Sequence, residues 1–358
     1  MRPPDVSGLM LASLLNLSAV LPQLNSNGKQ TGSDYAESQA HPVPFSSFYD
    51  VNTTRAALSP LVRIEYREAV GAPTPPRWLR WQRLRVTSKN QPLHAWQHMV
   101  KRERSESHRP LWLEVDGCAM FSLDKRGDES LRALFWKIDA ALAWSPRIVA
   151  AADAIVHRIR QLSLGAGGAG KFSALHMRIE QDWVDHCARW VGDNCMTNTD
   201  TLGNVFEFQA VPSALPIYVA TEEGQGNVEL RQLRGLRTLP PQYVLLSKHM
   251  VAPELATGSR EFLAAVDFSV SERAHRFIGN SVSTFSALML MRRSEADASV
   301  GAPCGHSHDF HYNGGSVPLA EVLFRTQLCS QQRRSSRELQ QRHSSHELQQ
   351  RRSSHGLQ

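Results

Sequence analysis

The most informative segment of this chain is FSALHMRIEQDWVDHC, residues 172–187. Its first six residues form a mostly apolar run, which predicts a strand buried within a sheet. Side chains alternate along an extended chain, so every second residue beyond that strand points to the same side. The polar residues on that side are His176, Arg178, Glu180 and Asp182. Polar groups just past the carboxyl end of a strand are typical of the ligand-binding edge of an open α/β sheet.

A second informative stretch, AAVDFSVSERAHRFIGNSVSTFSALML, occupies residues 264–290. Its pattern predicts a helix, a short strand at 276–279, a turn, and a new helix that begins near Thr284. The start of a helix leaves backbone N–H groups unpaired and favours a nearby anion. The hydroxyls of Ser281, Ser283 and Thr284 add donors, so a phosphate could bind here without a metal ion. The structural alternative is an ordinary helix N-cap.

Together the two stretches resemble the GDP-fucose protein O-fucosyltransferase family. The family shows H-x-R on a strand, followed by an acidic residue and then F-I-G-N/T-x-x-S-T/S-F-S. The matching positions in this chain are His176-Met177-Arg178, Asp267, Phe277-Ile278-Gly279-Asn280 and Ser283-Thr284-Phe285-Ser286. Upstream, residues 11–27 and 44–50 resemble the family's helix, second strand and following loop. The resemblance covers most of residues 8–325.

The resemblance implies a role for each matching residue. Arg178 would stabilise the diphosphate that leaves, since a guanidinium is permanently charged and donates two parallel hydrogen bonds. His176 would contact phosphate or sugar oxygens, and Asp267 would accept hydrogen bonds from the guanine or the ribose. The other expected contacts with GDP-fucose come from Asn280, Ser283, Thr284 and Phe285. Glu180 and Asp182 are the nearest carboxylates in sequence and are possible acid/base groups, whereas the family places its proposed base on a glycine-rich loop.

The implied activity is metal-independent fucosyl transfer, with inversion, from GDP-fucose to a Ser or Thr hydroxyl of a protein acceptor. No cofactor is expected. In the family, a first strand and a glycine-rich loop precede the helix of residues 11–27, whereas only MRPPDVSG precedes it here. Two alternatives therefore stay open: a donor-binding relative with impaired catalysis, and a truncated gene model.

The resemblance and the alternation of helix and strand patterns predict an α/β protein with two facing Rossmann-like domains, as in the GT-B fold. The N-terminal domain, residues 1–163, would be incomplete and would contain an irregular region at 28–110. Residues 164–171 form a glycine-rich linker in this prediction. Residues 172–325 would form the domain that binds GDP-fucose. Residues 326–358 contain a polar nine-residue repeat that cannot build a core, which predicts a disordered tail.

The helix and strand predictions within this frame are specific. AWSPRIVAAADAIVHRIRQL has a Ser-Pro start and an apolar face, which predict a helix that begins at Ser145 as N-cap. The run LGAGGAGK, residues 164–171, nearly fits a phosphate-binding loop. That motif needs a strand before it and a helix after it, and here the predicted order is the reverse. Further strands are predicted at 217–220 and 243–246, and a helix at 254–271.

Charge gives an alternative from another class. The formal net charge is +6, and residues 331–358 supply +4 of it through six Arg and two Glu, so the body is nearly neutral. A basic scaffold that binds RNA through PPRWLRWQRLRV, residues 75–86, and the tail is therefore the less favoured interpretation. A half-buried strand explains residues 75–86 equally simply. No nucleic-acid partner is expected.

The cysteines and the N-terminus bear on localisation. The five cysteines form no C-x-x-C pattern, and a disulfide between Cys187 and Cys195 is one possibility in an oxidising compartment, with two free thiols the other. The cluster at residues 304–311 predicts a solvated loop rather than a metal site. The apolar run 9–21 is too short to span a bilayer and makes a poor signal peptide, so no membrane anchor is visible. By resemblance, the endoplasmic reticulum or Golgi lumen is expected.

Overall fold

The computed structural model describes residues 3–20, 44–65, 82–86, 93–106, 111–115, 129–176, 215–221, 230, 236, 241–279, 285–286, 288–290, 292–293 and 307–309. Helices cover parallel strands throughout these ranges, which confirms the predicted α/β class. The predicted tail at 326–358 lies outside them.

The N-terminal part begins with a helix that leads into a strand. Helix α1 spans Pro3–Leu14 and strand β1 spans Ser18–Val20. Helix α1 starts before residue 11, where the family resemblance places its helix. Proline is well suited to the first turn of a helix, which allows the start at Pro3. A short 3₁₀ helix at Phe45–Ser47 follows, and then come helix α2, Val51–Leu58, and strand β2, Arg63–Glu65. Strands β1 and β2 pair in parallel.

A second parallel pair follows in the chain. Strand β3 is Gln82–Val86 and strand β4 is Leu111–Val115, with helix α3, Leu93–Glu106, between them. Strand β3 lies within the stretch 75–86, so residues 82–86 adopt the strand of the simpler interpretation. Helix α4 then spans Glu129–Ala141.

Helix α5, Pro146–Gly165, forms where the Ser-Pro start predicts it. Its predicted apolar face is buried and consists of Ile148, Ala151, Ala152, Ile155 and Ile159. Ser145 does not cap the helix with its side chain. Its hydroxyl donates instead to the carbonyl oxygen of Ser47, 3.1 Å away, and so ties the helix start to the 3₁₀ helix.

The glycine run 164–171 connects a helix to a strand, as predicted, and forms a tight turn. Gly167 and Gly170 have φ angles of 79° and 69°, which glycine adopts without a steric cost. The buried hydroxyl of Ser163 donates to the carbonyl oxygen of Lys171 and closes the turn. Residues 164 and 165 belong to helix α5 rather than to a linker.

The remaining described strands form one five-stranded parallel sheet. They are β5, Ser173–His176; β6, Ile217–Ala220; β7, Leu245–Leu246; β8, Arg276–Gly279; and β9, Ser307–Asp309. Helix α6, Lys248–Val251, follows β7, and helix α7, Arg260–Glu272, precedes β8. The strands predicted at the positions of β5, β6, β7 and β8 are therefore confirmed. The predicted loop at 304–311 is wrong for residues 307–309, because an edge strand pairs through its backbone and needs no apolar pattern.

The order of the strands is β7-β6-β5-β8-β9, which corresponds to the first five strands of the Rossmann order 3-2-1-4-5-6. The chain progresses outward from β5 in one direction and then continues from β8 in the other. The order thus reverses between β5 and β8, and ligands of open α/β sheets bind at the carboxyl ends of the strands beside such a reversal.

The core lies on both faces of this sheet. On one face, Ala174, Tyr218 and Phe277 pack in a large cluster with helices α5 and α7, which also contact each other. That cluster continues into α1, α4 and the 3₁₀ helix. On the other face, a smaller cluster contains Leu175, Val219 and Ile278. Burial on both faces explains why these strands are continuously apolar.

Candidate functional site

The candidate site lies where β5 and β8 end side by side. Leu175 pairs with Ile278, so the next residue of each strand, His176 and Gly279, closes the pair at its carboxyl end. This is the point where the strand order reverses. The structure therefore places His176 at the edge of the sheet that the sequence predicts for ligand binding.

His176 is buried and held in one orientation by two neighbours. Its Nδ1 atom lies 2.7 Å from the Oγ atom of Ser286. Its ring stacks on the ring of Phe285, with 4.0 Å between the centroids and 10° between the planes. Two polypeptide stretches that are 110 residues apart in sequence thus meet at this imidazole. The family motif includes Ser286, but it does not predict the contact of Ser286 with His176.

The hydrogen bond to Ser286 sets the chemistry that His176 can offer. If the Ser286 hydroxyl donates to Nδ1, the proton of a neutral ring resides on Nε2, which then acts as a donor. If Nδ1–H donates to the hydroxyl, Nε2 becomes an acceptor. In either arrangement, the bond to Ser286 orients the imidazole and so fixes the direction of Nε2.

A chain of aromatic rings packs against Phe285, on which the ring of His176 stacks. Phe285 packs edge-on against Phe268, with centroids 5.0 Å apart, and Phe268 packs against Trp144 at 6.0 Å. Trp144 stacks on Tyr49 at 5.5 Å, and Tyr49 stacks on Phe45 at 4.4 Å. The chain connects the 3₁₀ helix of the N-terminal part with the imidazole of His176.

An arginine fixes the segment that carries Phe285 and Ser286. The Nε and Nη2 atoms of Arg292 donate to the side chain and the carbonyl oxygen of Asp139 in α4. Its Nη1 atom donates to Glu272 at the end of α7, and its guanidinium lies 5.7 Å from the centroid of Phe268. The three residues Asp139, Glu272 and Arg292 are called the Arg292 clamp below. They join α4, α7 and the helical segment formed by residues 285–286, 288–290 and 292–293.

Asp267 lies on α7, is buried, and has protein groups bound to both of its carboxylate oxygens. The hydroxyl of Tyr218 donates to Oδ1 over 2.6 Å. The ammonium of Lys248 donates to Oδ2 over 2.8 Å and to the carbonyl oxygen of Thr221 over 2.7 Å. The three side chains, Tyr218, Lys248 and Asp267, are called the buried charge network below.

Burial dominates the electrostatics of this network. It raises the pKa of Asp267, while Lys248 and the Tyr218 hydroxyl oppose that shift by stabilising the charged form. Burial also raises the pKa of Tyr218, and the adjacent Asp267 adds to the effect. Burial, together with the positive charge of Lys248, lowers the pKa of the neighbouring His249.

The sequence does not predict Lys248 or Tyr218 as part of a site. A tyrosine within an apolar strand has the pattern of a core residue, and a single lysine after a strand has no spacing that marks it. Only the packing of α7 on β6 brings them to Asp267. The expected contact between Asp267 and a nucleotide stays a prediction, and it would use the acceptor positions that Tyr218 and Lys248 leave.

Gly279 is close-packed at the end of β8. A Cβ atom at this position would lie 2.5 Å from the Oγ atom of Ser286 and 2.7 Å from the ring of Phe277. Only a residue without a side chain allows Ser286 to come so near the strand end. The glycine of the F-I-G-N motif is therefore part of the geometry that brings Ser286 to His176.

Several predicted site residues lie outside the described residues. They are Arg178, Glu180, Asp182, Asn280, Ser283 and Thr284, together with Cys187 and Cys195. Within the described ranges, no group of three or more His, Cys, Asp or Glu residues could hold a metal ion. The helices of those same ranges include none long and apolar enough to cross a membrane.

Replacing Ser286 by alanine tests its bond to His176. We expect Ser286→Ala to lower the free energy of unfolding by about 1–3 kcal/mol, because a buried nitrogen loses its hydrogen-bond partner. Chemical denaturation measures this loss. Ser105→Ala is the matched control: its hydroxyl donates to a backbone carbonyl on an exposed helix surface, so a change within about 0.5 kcal/mol is expected. Equal losses in the two variants would contradict the role of Ser286.

Comparison with known proteins identifies a family, a curated relative and similar solved structures. Residues 6–296 match the family model described as GDP-fucose protein O-fucosyltransferase. O-fucosyltransferase 23 of Arabidopsis thaliana is 28% identical over 146 residues, which cover 37% of this chain and 32% of that protein. The chain therefore matches about a third of the length of this curated relative.

The solved structures agree with the fold. Crystal structures of POFUT1 in complex with GDP and with GDP-fucose superpose with TM-scores of 0.51 and 0.50 at 16% sequence identity. Each superposition covers 87% of this chain and 94% of the other. At this identity the likeness concerns the arrangement of helices and parallel strands.

Proposed function

The chain belongs to the GDP-fucose protein O-fucosyltransferase family, and we propose that it transfers fucose from GDP-fucose to a Ser or Thr hydroxyl of a protein acceptor. The observation that carries this proposal is the contact of His176 with Phe285 and Ser286. It joins the two motifs of the family at the carboxyl ends of β5 and β8, where an open α/β sheet binds its ligand.

The proposed architecture has two facing Rossmann-like domains, residues 1–163 and 172–325, with the donor in the second. The strand order β7-β6-β5-β8-β9 supports the second domain, and the parallel pairs β1-β2 and β3-β4 support α/β layers in the first. The aromatic chain and the Arg292 clamp would hold the two halves together beside the donor.

In the proposed mechanism, the bond between fucose C1 and the diphosphate oxygen breaks as the acceptor hydroxyl attacks from the opposite face, which inverts the configuration. Arg178 stabilises the negative charge on the departing diphosphate, and no metal ion takes part. Asn280, Ser283, Thr284 and Phe285 bind the donor, and His176 contacts its phosphate or sugar oxygens. Glu180 or Asp182 would accept the proton of the hydroxyl.

We place the protein in the lumen of the endoplasmic reticulum or Golgi, where the family resemblance locates this chemistry. A disulfide between Cys187 and Cys195 would form in that oxidising compartment. Non-reducing peptide mapping of the secreted protein tests the pairing, since free thiols at both positions would contradict it.

Calorimetric titration tests the donor site. We expect GDP and GDP-fucose to bind, ADP and UDP to bind far more weakly, and a chelator to leave the affinity unchanged. Release of fucose from GDP-fucose, with water or a protein as acceptor, then measures turnover. Binding without turnover would reduce the function to donor binding, and a folded chain that binds none of the four nucleotides would contradict the proposal.

Arg178 is the residue on which the mechanism depends most. We expect Arg178→Ala to lower the rate of fucosyl transfer by about 10²-fold or more, because removing a donor to a developing negative charge has this effect in other enzymes. Arg160→Ala, on the exposed side of α5, is the control and should retain the full rate. A near-normal rate in Arg178→Ala would overturn the assigned mechanism.

A further inference from the structure

Lys248 is the most deeply buried cation among the described residues, with 2% of its surface exposed. A buried ammonium is costly unless it is paired and hydrogen-bonded. Lys248 meets both conditions through the carboxylate of Asp267, which is 5% exposed, and the carbonyl oxygen of Thr221. A side chain of this kind has either a structural role or a functional one, and its position favours the second.

The buried charge network lies at the ligand edge of the sheet. Thr221 is the first residue after β6, and Lys248 follows β7 after one intervening serine. Strand β6 is the direct neighbour of β5, which ends at His176. The carboxyl ends of β5, β6 and β7 thus present, in spatial order, the imidazole, the Thr221 carbonyl and the Lys248 ammonium.

The network fixes what Asp267 can recognise. A carboxylate that is paired with an ammonium stays ionised and acts only as an acceptor, and its two oxygens offer about four lone-pair positions. Tyr218 and Lys248 each occupy one position, on different oxygens. The positions that remain can receive two donors from one ligand edge, as the ring N–H and exocyclic amine of guanine provide. Adenine would place a ring nitrogen that is itself an acceptor against the same carboxylate, so no hydrogen bond could form there.

We propose that Lys248 is a positioning residue that sets the nucleobase selectivity of the site, by holding Asp267 ionised and oriented as an acceptor for a purine with a donor edge. This inference rests on the proposed function, since it concerns the nucleotide part of the GDP-fucose site. Tyr218 shares the task by fixing the second oxygen. The role is distinct from that of Arg178, which acts on the diphosphate.

The test compares the affinities of GDP, IDP and ADP for the whole chain and two Lys248 variants by calorimetry. The expected preference of the wild type is GDP over IDP over ADP, because IDP lacks the exocyclic amine. In Lys248→Met, the ratio of GDP to ADP affinity should fall about 10- to 100-fold, as expected when a charged hydrogen-bond partner is removed. Lys248→Arg keeps the charge and should retain most of the ratio.

A double variant with two uncharged side chains distinguishes a loss of selectivity from misfolding. Lys248→Met leaves a buried carboxylate without its cation, whereas adding Asp267→Asn replaces the ion pair by uncharged side chains. The double variant should fold, as monitored by thermal unfolding, and should still show the loss of selectivity. Lys137→Met, at an exposed position on α4, should match the wild type in both measurements.

The outcomes separate the two proposals. Wild-type protein that fails to bind GDP overturns the proposed function, and this inference with it. Wild-type protein that binds GDP selectively, together with a folded Lys248→Met variant of unchanged selectivity, overturns the role of Lys248 alone. Unchanged selectivity in the folded double variant overturns the role of Asp267 as well. Loss of selectivity in the methionine variants with retention in Lys248→Arg supports it.

Discussion

The Arg292→Met variant is expected to lose about 3–5 kcal/mol of unfolding free energy, because it takes a charged partner away from a buried carboxylate. The carboxylate is that of Asp139, which is 2% exposed. The guanidinium donates to its Oδ2 atom and to the backbone carbonyl oxygen of the same residue. Glu272 loses the same partner. Methionine keeps much of the aliphatic volume, so the loss of charge dominates the effect. Denaturant unfolding at neutral pH measures it.

The matched control is Arg158→Met. Arg158 and Glu254 form an ion pair of 2.6 Å, but their side chains are 45% and 54% exposed. Water screens such a pair, so its removal should lower the stability far less than the loss of Arg292 does. If the two arginine variants lost equal stability, burial would not be the cause of the effect at Arg292.

Arg292→Met should also weaken donor binding, because the clamp holds the helical segment that carries Phe285 and Ser286. The double variant Arg292→Met with Asp139→Asn separates the two effects. It removes the buried charge and should recover much of the stability, while the segment stays unclamped and GDP affinity stays low. Full recovery of affinity would show that the clamp serves stability alone.

The second large effect is expected for Gly279→Ala. The new Cβ atom would lie within 2.5 Å of the Ser286 hydroxyl and 2.7 Å of the Phe277 ring. Overpacking of this kind costs about 1–3 kcal/mol, since Phe277 is fully buried within the core cluster. The displacement of Ser286 releases His176, and a shift of about 1 Å in a catalytic arrangement can lower a rate 10²-fold. Unfolding and fucose release are the two measurements.

Gly165→Ala is the control for this substitution. No atom lies within 4 Å of a Cβ atom at Gly165, at the end of α5. Alanine there should leave stability unchanged or raise it by up to about 1 kcal/mol. Adding Ser286→Gly to Gly279→Ala should recover part of the lost packing but not the hydrogen bond to His176. A Gly279→Ala variant with full stability and full rate would contradict the close packing described here.

The secondary structure that sequence predicts well has a local cause. Strands β6 and β8 are short, largely apolar runs that polar residues follow in the sequence, and α5 begins with Ser-Pro and continues with one apolar face. Strand β9 is a polar edge strand of three residues and carries no such pattern. Its pairing with β8 depends on the rest of the sheet, which is already in place.

The candidate site is predictable from the sequence only in part, because some of its contacts join residues that are distant in the chain. The H-x-R and F-I-G-N motifs locate His176 and Phe285, since each lies within a contiguous pattern. The Arg292 clamp and the buried charge network join residues that are distant in sequence, such as Asp139 and Arg292. The sequence around either residue contains no pattern that predicts its partner. The two residues meet only because the helices pack on the sheet.

The strand order has a consequence for the synthesis of the protein. Of the strands in the five-stranded sheet, the central strand β5 leaves the ribosome first. Its partner β8 follows only after roughly 100 further residues, a delay of about 5–20 s at cellular elongation rates. Until then one edge of β5 has no partner, and the imidazole of His176 has no Ser286 to bind. The binding edge is thus completed late in translation, and a nascent chain that stalls before residue 279 exposes an apolar strand edge to chaperones rather than a nucleotide site.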